Sequence, residues 1–293
     1  MIENILLPYS QKEKRYFTNK KLGEGSFGAV YVGYSIEDSK QKKPLAIKIS
    51  TLEKNNQQLD AIQTEAENLQ QLTFPHTARY YDHCLNSQLP YLVREFLPQT
   101  LADRIKKNQV TQKLIIKYIS QMAIFLSFLN HKGKIHNDLK CENIGYSSSE
   151  GIKILDMGHL ETPGYKDIKK VIYHAIYAPE FSKESLLTTK SDIYTVGKSL
   201  QYLLTDNYEL KTEEALDLIE LIYEVDLPDT FKQLLSRMTL ENPEKRINHY
   251  DLVALSFDVT RDLNEKKYFT TDAFKMLFVH GKFISIDTNQ YHL

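Results

Sequence analysis

Two short stretches decide the fold of this chain: HNDLKCEN at residues 136–143 and ILDMG at residues 154–158. Asn143 follows Asp138 by five positions, and Asp156 follows Asn143 by thirteen. Taken singly, each aspartate could be a surface residue near a turn. Whether they form one site depends on what the chain carries upstream and downstream of them.

A glycine-rich segment, GEGSFG, lies upstream at residues 23–28. The form G-x-G-x-x-G is weak evidence alone, since it also occurs where glycines open the helix of a dinucleotide-binding fold. Here the glycines run into a predicted strand at residues 29–32, which disfavours that fold. Two interpretations remain: a plain hairpin turn, or a flap whose backbone N–H groups can approach phosphate oxygens.

A single lysine interrupts the apolar strand LAIKI at residues 45–49. Alternation puts Lys48 on the same face as the small Ala46, which suits a face that admits a flat ligand. The apolar spacing of residues 57–72 predicts a helix with Glu65 on its apolar stripe, whereas its neighbour Asn68 is expected to point elsewhere. A carboxylate there is costly unless paired, so Lys48 is its natural counter-ion. The alternatives are an exposed lysine, and a glutamate at the stripe's edge that reaches water.

Three downstream features follow in order: APE at residues 178–180, Asp192 with Gly197, and Arg246. With the stretches above, they resemble the protein kinase family, whose catalytic loop reads H-R-D-x-K-x-x-N and whose metal-binding motif reads D-F-G. The resemblance covers roughly residues 16–250. It implies an α+β, two-lobed protein-kinase-like fold, with a small β-rich N-lobe that carries one helix and a larger, mostly helical C-lobe. In this family the arginine at position 246 pairs with the APE glutamate.

The resemblance also implies the chemistry of the site, with ATP as phosphate donor and Mg²⁺ as metal. Lys48 would hold the α- and β-phosphates and Glu65 would hold Lys48; Asp138 would accept the proton of the substrate hydroxyl, and Lys140 would steady the γ-phosphate. The implied catalytic residues are Asp138, Lys140, Lys48 and Glu65, and the implied Mg²⁺ ligands are Asn143 and Asp156. The implied ATP contacts are Gly23, Gly25, Ser26, Phe27, Gly28, Val30, Ala46, Lys48, Glu95 and Leu97.

Some positions depart from the family pattern. Asn137 replaces the arginine that meets an activation-segment phosphate, which predicts activity independent of such phosphorylation. Met157 replaces the phenylalanine of D-F-G and stays apolar. Residues 173–177 lack the threonine that Ser/Thr kinases place near the catalytic aspartate, whereas Leu139-Lys140 favours a Ser/Thr-type loop.

The adenine pocket is expected to be unusual at two positions. If residues 95–97 form the hinge, Arg94 takes the gatekeeper position, where it could compete with Lys48 for Glu65; the alternative is a register shifted by one. Gly145 falls where a bulky apolar residue usually floors the pocket, although Val30 and Ala46 would still roof it. We expect weakened, not abolished, ATP affinity.

The coarse element pattern predicts the domain organisation. Its segments are an N-terminal leader at 1–15, an N-lobe at 16–96, a C-lobe at 97–256, and an extension at 257–293 that either packs on the C-lobe or binds a partner. Strands are predicted at 17–22, 29–32, 45–49 and 91–93, and helices at 57–72, 113–131, 212–224 and 229–238. A further helix is predicted to follow a Ser191-Asp192 cap.

Composition excludes several classes of protein. The 293 residues include 37 Lys and Arg against 38 Asp and Glu, so no polybasic character points to nucleic acid or anionic lipid. Two cysteines exclude a disulfide framework and indicate a reducing compartment. The longest nearly apolar run, residues 122–129, is shorter than a membrane span. These observations predict a cytoplasmic protein.

The leading interpretation is an active, ATP- and Mg²⁺-dependent protein kinase, Ser/Thr-directed, with a protein substrate of unknown identity and an unknown oligomeric state. The alternative is a pseudokinase that binds nucleotide or acts as a scaffold, suggested by Asn137, Arg94, Gly145 and the missing threonine. A small-molecule kinase is disfavoured by the APE motif, Asp192 and Arg246.

Overall fold

The computed structural model describes residues 5–25, 28–37, 43–50, 56–165, 175–181 and 186–269. Ser26, Phe27, residues 173–174 and the apolar residues of 274–279 lie outside the described residues. The chain divides into two compact units. The first contains residues up to 100 together with 134–162, and the second contains 101–133 and the residues from 163 onward.

The first unit is built on a five-stranded antiparallel sheet in the order β1-β2-β3-β5-β4. The strands are β1 (Tyr16–Gly25), β2 (Gly28–Ser35), β3 (Leu45–Ile49), β4 (Tyr80–Cys84) and β5 (Tyr91–Glu95). One helix, α1 (Asn56–Gln71), lies between β3 and β4 in the chain, and a second small sheet pairs β6 (Ile144–Ser147) with β7 (Gly151–Ile154).

One face of the large sheet carries the core of this unit. Leu45, Ile47 and Ile49 of β3 pack there with Tyr91 and Val93 of β5, so the predicted alternation of β3 is confirmed. The opposite face is left to Ala46 and Lys48, which are also buried.

The segment before β1 is an ordered part of this core. The fully buried Leu7 donates its N–H to the Tyr16 carbonyl at 2.8 Å, and the Tyr91 hydroxyl donates to the Pro8 carbonyl at 2.8 Å. The buried Asp82 of β4 accepts from the hydroxyls of Ser10, at 2.5 Å, and Tyr16, at 2.9 Å. Residues 5–15 therefore pack on the sheet.

The second unit is mainly helical. Its elements are α2 (Leu101–Lys106), α3 (Gln112–His131), β8 (Gly164–Tyr165), β9 (Leu186–Leu187), α4 (Thr189–Thr205), α5 (Thr212–Tyr223), α6 (Asp229–Met238) and α7 (His249–Glu265). Helix α3 packs against α4 and α7. Of the helices in the described ranges, α3 alone has the length and apolar composition to cross a bilayer. Its buried side chains, including Tyr118, which donates to the Val196 carbonyl at 3.0 Å, make it a core helix of this unit.

The predicted helices and strands are confirmed apart from small boundary shifts and one cap. Helix α4 begins at Thr189, earlier than expected, because Thr188 is the N-cap and Ser191 is the third residue of its capping box. Strand β4 was not predicted, since Asp82 and His83 are unusual in a strand. The Asp82 carboxylate is stabilised there by the hydroxyls of Ser10 and Tyr16. Phe269 is buried against Tyr223 and Phe231, with ring centroids 5.1 and 5.9 Å away.

Candidate active site

The centre of the site is a buried ion pair between β3 and α1. The Lys48 Nζ lies 2.5 Å from the Glu65 Oε2, and Glu65 is fully buried. Lys48 also contacts the Asp156 Oδ2 at 3.3 Å, across 108 positions of sequence. The predicted convergence of Lys48, Glu65 and Asp156 is therefore present in the structure.

The charges of this cluster stabilise one another. Burial lowers the pKa of Lys48, but Glu65 and Asp156 outweigh it and leave that pKa above its usual value. Burial and the neighbouring Asp156 raise the pKa of Glu65, while Lys48 and Arg94 oppose them. With cations 2.5 and 3.7 Å from its oxygens, we assign the Glu65 carboxyl as ionised. The pair can thus hold a lysine in place for phosphate oxygens.

Asp156 comes directly after Leu155, the first residue beyond strand β7. Burial works to raise its pKa, but Lys48 and the backbone N–H of Gly158, which donates to the Asp156 Oδ1 at 2.8 Å, outweigh it and hold the pKa well below the usual value. Asp156 is therefore ionised at physiological pH and can serve as an anionic ligand of a divalent cation.

The loop before β6 carries the other side chains that were predicted to act in catalysis or to bind metal. The Asn143 Nδ2 donates to the Asp138 Oδ2 at 2.6 Å, and the Lys140 Nζ lies 2.9 Å from the Asp138 Oδ1. Leu155 donates its N–H to the Asn143 carbonyl at 2.8 Å, which places Asn143 beside the residue that precedes Asp156. The predicted catalytic residues and metal ligands are thus brought together within the first unit.

These residues fit a magnesium ion. Because the Asn143 Nδ2 is used on Asp138, its amide oxygen is the atom available as a ligand, and Asp156 adds carboxylate oxygens. Within the described ranges, no three His, Cys, Asp or Glu side chains form a metal cage. Mg²⁺ is suited to such a two-residue site when phosphate and water oxygens complete its shell.

The His136 side chain supports the backbone of this loop. It is fully buried, and its Nδ1 accepts the Asp138 backbone N–H at 3.3 Å. Burial lowers its pKa to about 4, so the ring is neutral at physiological pH. A neutral ring can accept this hydrogen bond, which helps fix the backbone at Asp138.

Asn137 adopts a left-handed backbone conformation with φ of +67°. Asparagine tolerates this region better than most residues. Its Nδ2 donates to the His159 carbonyl at 3.2 Å and to the Glu161 Oε2 at 3.3 Å. Asn137 therefore holds residues 159–161 through two hydrogen bonds from its uncharged amide, at the position where the family's arginine would bind a phosphate.

Asn68 of α1 was expected to point away from the site, and this expectation was wrong. Its Nδ2 donates to the Met157 carbonyl at 2.8 Å. Met157 itself is fully buried, as its apolar side chain predicts. The hydrogen bond ties the helix that carries Glu65 to the turn that carries Asp156, and no sequence pattern distinguished Asn68 from an ordinary polar helix residue.

The pairing of β5 with β3 fixes the positions of Arg94 and Glu95 in the sheet. Arg94 pairs with Ala46 and Glu95 with Leu45, so Arg94 lies on the same face of the sheet as Ala46 and Lys48. Arg94 is buried, and its Nε lies 3.7 Å from the Glu65 Oε1. The Glu95 Oε2 is held by the buried Lys153, whose Nζ is 3.3 Å away.

The space beside Gly145 is occupied by other apolar side chains. A Cβ at position 145 would lie 3.0 Å from the Leu97 Cβ and 3.1 Å from the Leu155 Cδ2. Leu97 and Leu155 therefore stand where a side chain at position 145 would lie. Val30 pairs with Lys48 across β2 and β3, which puts it on the same face of the sheet as the site.

The glycine segment joins β1 to β2, and Gly25 pairs with Gly28. This confirms a hairpin between two strands, as opposed to a glycine turn that opens a helix. Gly28 has φ of +126°, and a Cβ there would lie 2.3 Å from the Ile49 carbonyl oxygen, so only glycine fits. Gly23 and Gly25 are exposed and have open space where a Cβ would stand.

The second unit contains a buried ion pair between the APE motif and residue 246. The Arg246 Nη1 and Nη2 donate to the two Glu180 oxygens at 2.7 and 3.1 Å. The Ser191 hydroxyl adds a third bond to Glu180 at 3.0 Å. Gly197 lies where a Cβ would come within 3.0 Å of Met238, which explains a glycine inside α4. The pairing implied by the resemblance is confirmed.

Comparison with known proteins decides the family. The family model described as "Protein kinase domain" matches residues 16–257, well over half of the chain. The chain belongs to the protein kinase family. This assignment agrees with the β-rich sheet and the helical part described above.

Individual relatives of this protein kinase are distant. "Spermatocyte protein spe-8" of Caenorhabditis elegans is 28% identical over 257 residues, covering 81% of this chain and 50% of the relative. "CBL-interacting protein kinase 10" of Oryza sativa subsp. japonica is 24% identical over 80% of this chain and 55% of the relative. "Serine/threonine-protein kinase KIC1" of Saccharomyces cerevisiae is 23% identical over 80% of this chain and 23% of the relative. The chain spans about half the length of the first of these relatives.

Proposed function

We propose that this protein kinase is active, uses ATP with Mg²⁺, and transfers the γ-phosphate to a serine or threonine hydroxyl of a protein. The observation that carries the proposal is the contact of Lys48 with both Glu65 and Asp156, at 2.5 and 3.3 Å. It brings the phosphate-binding lysine to the metal-binding aspartate. The ion pair with Glu65 holds that lysine in position before nucleotide binds.

The remaining side chains have separable roles in this mechanism. Asp138 accepts the proton of the substrate hydroxyl, and its carboxylate is oriented by Asn143 on one oxygen and Lys140 on the other. Lys140 offers its ammonium group to the γ-phosphate. Asn143 and Asp156 would hold Mg²⁺, which would neutralise part of the charge of the phosphates. Lys48 binds the α- and β-phosphates.

The Ser/Thr direction is supported by two observations. First, Leu139-Lys140 is typical of Ser/Thr-type loops. Second, the relatives from rice and yeast are both named as protein kinases, and the yeast relative is named as a serine/threonine-protein kinase. A peptide library phosphorylated in the presence of Mg²⁺ and ATP, and read by mass spectrometry, tests it. Phosphotyrosine as the main product would contradict the assignment.

Phosphate transfer from radiolabelled ATP tests the activity itself. We expect the D138N and D156N variants to lose transfer by at least about a hundredfold, as for loss of a general base or a metal ligand. D226N, at a side chain that is 89% exposed, is the matched control and should retain full activity. Equal activity of D138N and the unsubstituted protein would refute the proposed role of Asp138.

A pseudokinase is a second candidate, because Arg94 places another cation against Glu65. Under that alternative, nucleotide binds and no phosphate is transferred, whatever peptide is offered. A cytoplasmic location is also proposed, because the sequence has two cysteines, Cys84 and Cys141, and no disulfide joins them in the described part of the chain.

A further inference from the structure

Arg94 brings a second positive charge into the buried cluster around Glu65. It lies on β5 opposite the small Ala46, two pairs along from the pair that contains Lys48, and is only 7% exposed. Cross-strand partners project to the same face of a sheet, so Arg94, Ala46 and Lys48 share the face of the site. The Arg94 Nε lies 3.7 Å from the Glu65 Oε1.

This contact acts through charge alone. Across the part of the chain that the structure describes, neither the Arg94 Nε nor the Glu65 Oε1 has a hydrogen-bond partner. In a buried site with low dielectric, a charge acts on neighbours beyond its own contact. Arg94 therefore acts electrostatically on Lys48 and Asp156 as well, because Lys48 contacts both Glu65 and Asp156 in the same cluster. Its influence therefore reaches the residues proposed to bind metal and phosphates.

The formal charges of the cluster are balanced. Lys48 and Arg94 contribute two positive charges, and Glu65 and Asp156 contribute two negative ones. A neutral residue at position 94 would leave one excess negative charge. An excess negative charge attracts a divalent cation and repels the phosphates of a nucleotide, so the metal is then needed to bring the two together.

We propose that Arg94 reduces the dependence of nucleotide binding on Mg²⁺. Metal-free ATP binds to this chain, and Mg²⁺ adds less affinity than it would with a neutral residue at position 94. The inference rests on the proposed function, since it requires nucleotide at Lys48.

The two forms of the ligand respond to Arg94 to different extents. With metal-free ATP, the guanidinium attracts the phosphates and no bound cation opposes it. With Mg²⁺ at Asp156 and Asn143, repulsion between Arg94 and the metal ion offsets that attraction. Replacing Arg94 by a neutral side chain therefore weakens ATP binding without metal and has little effect on binding with metal.

Calorimetric titration with ATP, in excess MgCl₂ and in EDTA at constant ionic strength, tests the proposal. The measured quantity is the ratio of the Kd in EDTA to the Kd in Mg²⁺. We expect this ratio to rise about tenfold in R94M, which corresponds to about 1.4 kcal/mol. R94K, which keeps the charge, is the matched control and should stay within about threefold of the unsubstituted protein. K48M should abolish titration in both buffers, which places the binding at this site.

The outcomes separate the inference from the proposed function. A ratio that is the same in R94M and in the unsubstituted protein overturns the inference, as does Mg²⁺-dependent binding with no binding in EDTA. Failure of ATP to bind in either buffer overturns the proposed function. Thermal unfolding of each variant verifies that it is folded; if R94M is not, R94Q carries the same test.

Discussion

Replacing Arg246 by methionine is expected to destabilise the protein by about 3–5 kcal/mol, because it leaves a buried carboxylate without its cation. Arg246 is 2% exposed, and its guanidinium donates five hydrogen bonds, two of them to Glu180. The other three go to the backbone carbonyls of Lys190, Leu240 and Glu241, at 2.8, 2.8 and 3.1 Å. In R246M, Glu180 keeps only the Ser191 hydroxyl among these partners.

The size of the chain converts this free energy into a change in melting temperature. For a chain longer than about 200 residues, 1 kcal/mol lowers the Tm by about 2 °C. The Tm of R246M should therefore fall by about 6–10 °C, measured by differential scanning calorimetry and checked by urea unfolding. The E180M/R246M double variant should recover part of the loss, since removal of both charges leaves no unpaired one.

An exposed ion pair in α7 supplies the control. Arg261 and Asp258 have side chains 64% and 47% exposed, with 2.9 Å between the Arg261 Nη1 and the Asp258 Oδ1. R261M should lower the unfolding free energy far less than R246M does, because solvent and salt screen an exposed ion pair. If R246M and R261M have the same effect, burial does not govern the contribution of the Glu180 pair, and the reasoning is refuted.

Further predictions concern phosphorylation, pH and the pocket floor. Because Asn137 holds residues 159–161 without a phosphate, phosphatase treatment should leave activity unchanged; rescue of inactive, dephosphorylated protein by T162E would contradict this. Burial lowers the pKa of His249 to about 4, so the unfolded state, with an unperturbed pKa near 6.5, takes up a proton first, and stability falls as pH drops from about 6.5 to 4. Urea unfolding of H249Q across that range should show a shallower loss, by up to about 3 kcal/mol, and equal slopes would disprove the assignment. G145L should destabilise by about 1–3 kcal/mol and weaken ATP binding, because its side chain must displace Leu97 and Leu155; tighter binding in a nucleotide titration would show that the floor was missing after all.

The sequence alone determined the order of functional groups along the chain. Phosphoryl transfer requires particular side chains, a lysine, carboxylates and an amide, and these cannot be exchanged freely for others of similar hydropathy. The spacing of Asp138, Asn143 and Asp156 therefore predicts the site, because it resembles the spacing of the kinase motifs. The helices α1, α3, α5 and α6 were predicted for a different reason, since their apolar periodicity is a property of neighbouring residues.

Only the tertiary structure decided what each of these groups contacts. Asn68 and Glu65 stand three positions apart on one helix, and only the packing of α1 shows that Asn68 donates to Met157. The partner of Arg94 was likewise open until the register of β3 and β5 placed it against Glu65. The strength of a buried charge depends on distance, burial and all the charges around it, and these are set by segments that lie far apart in the chain.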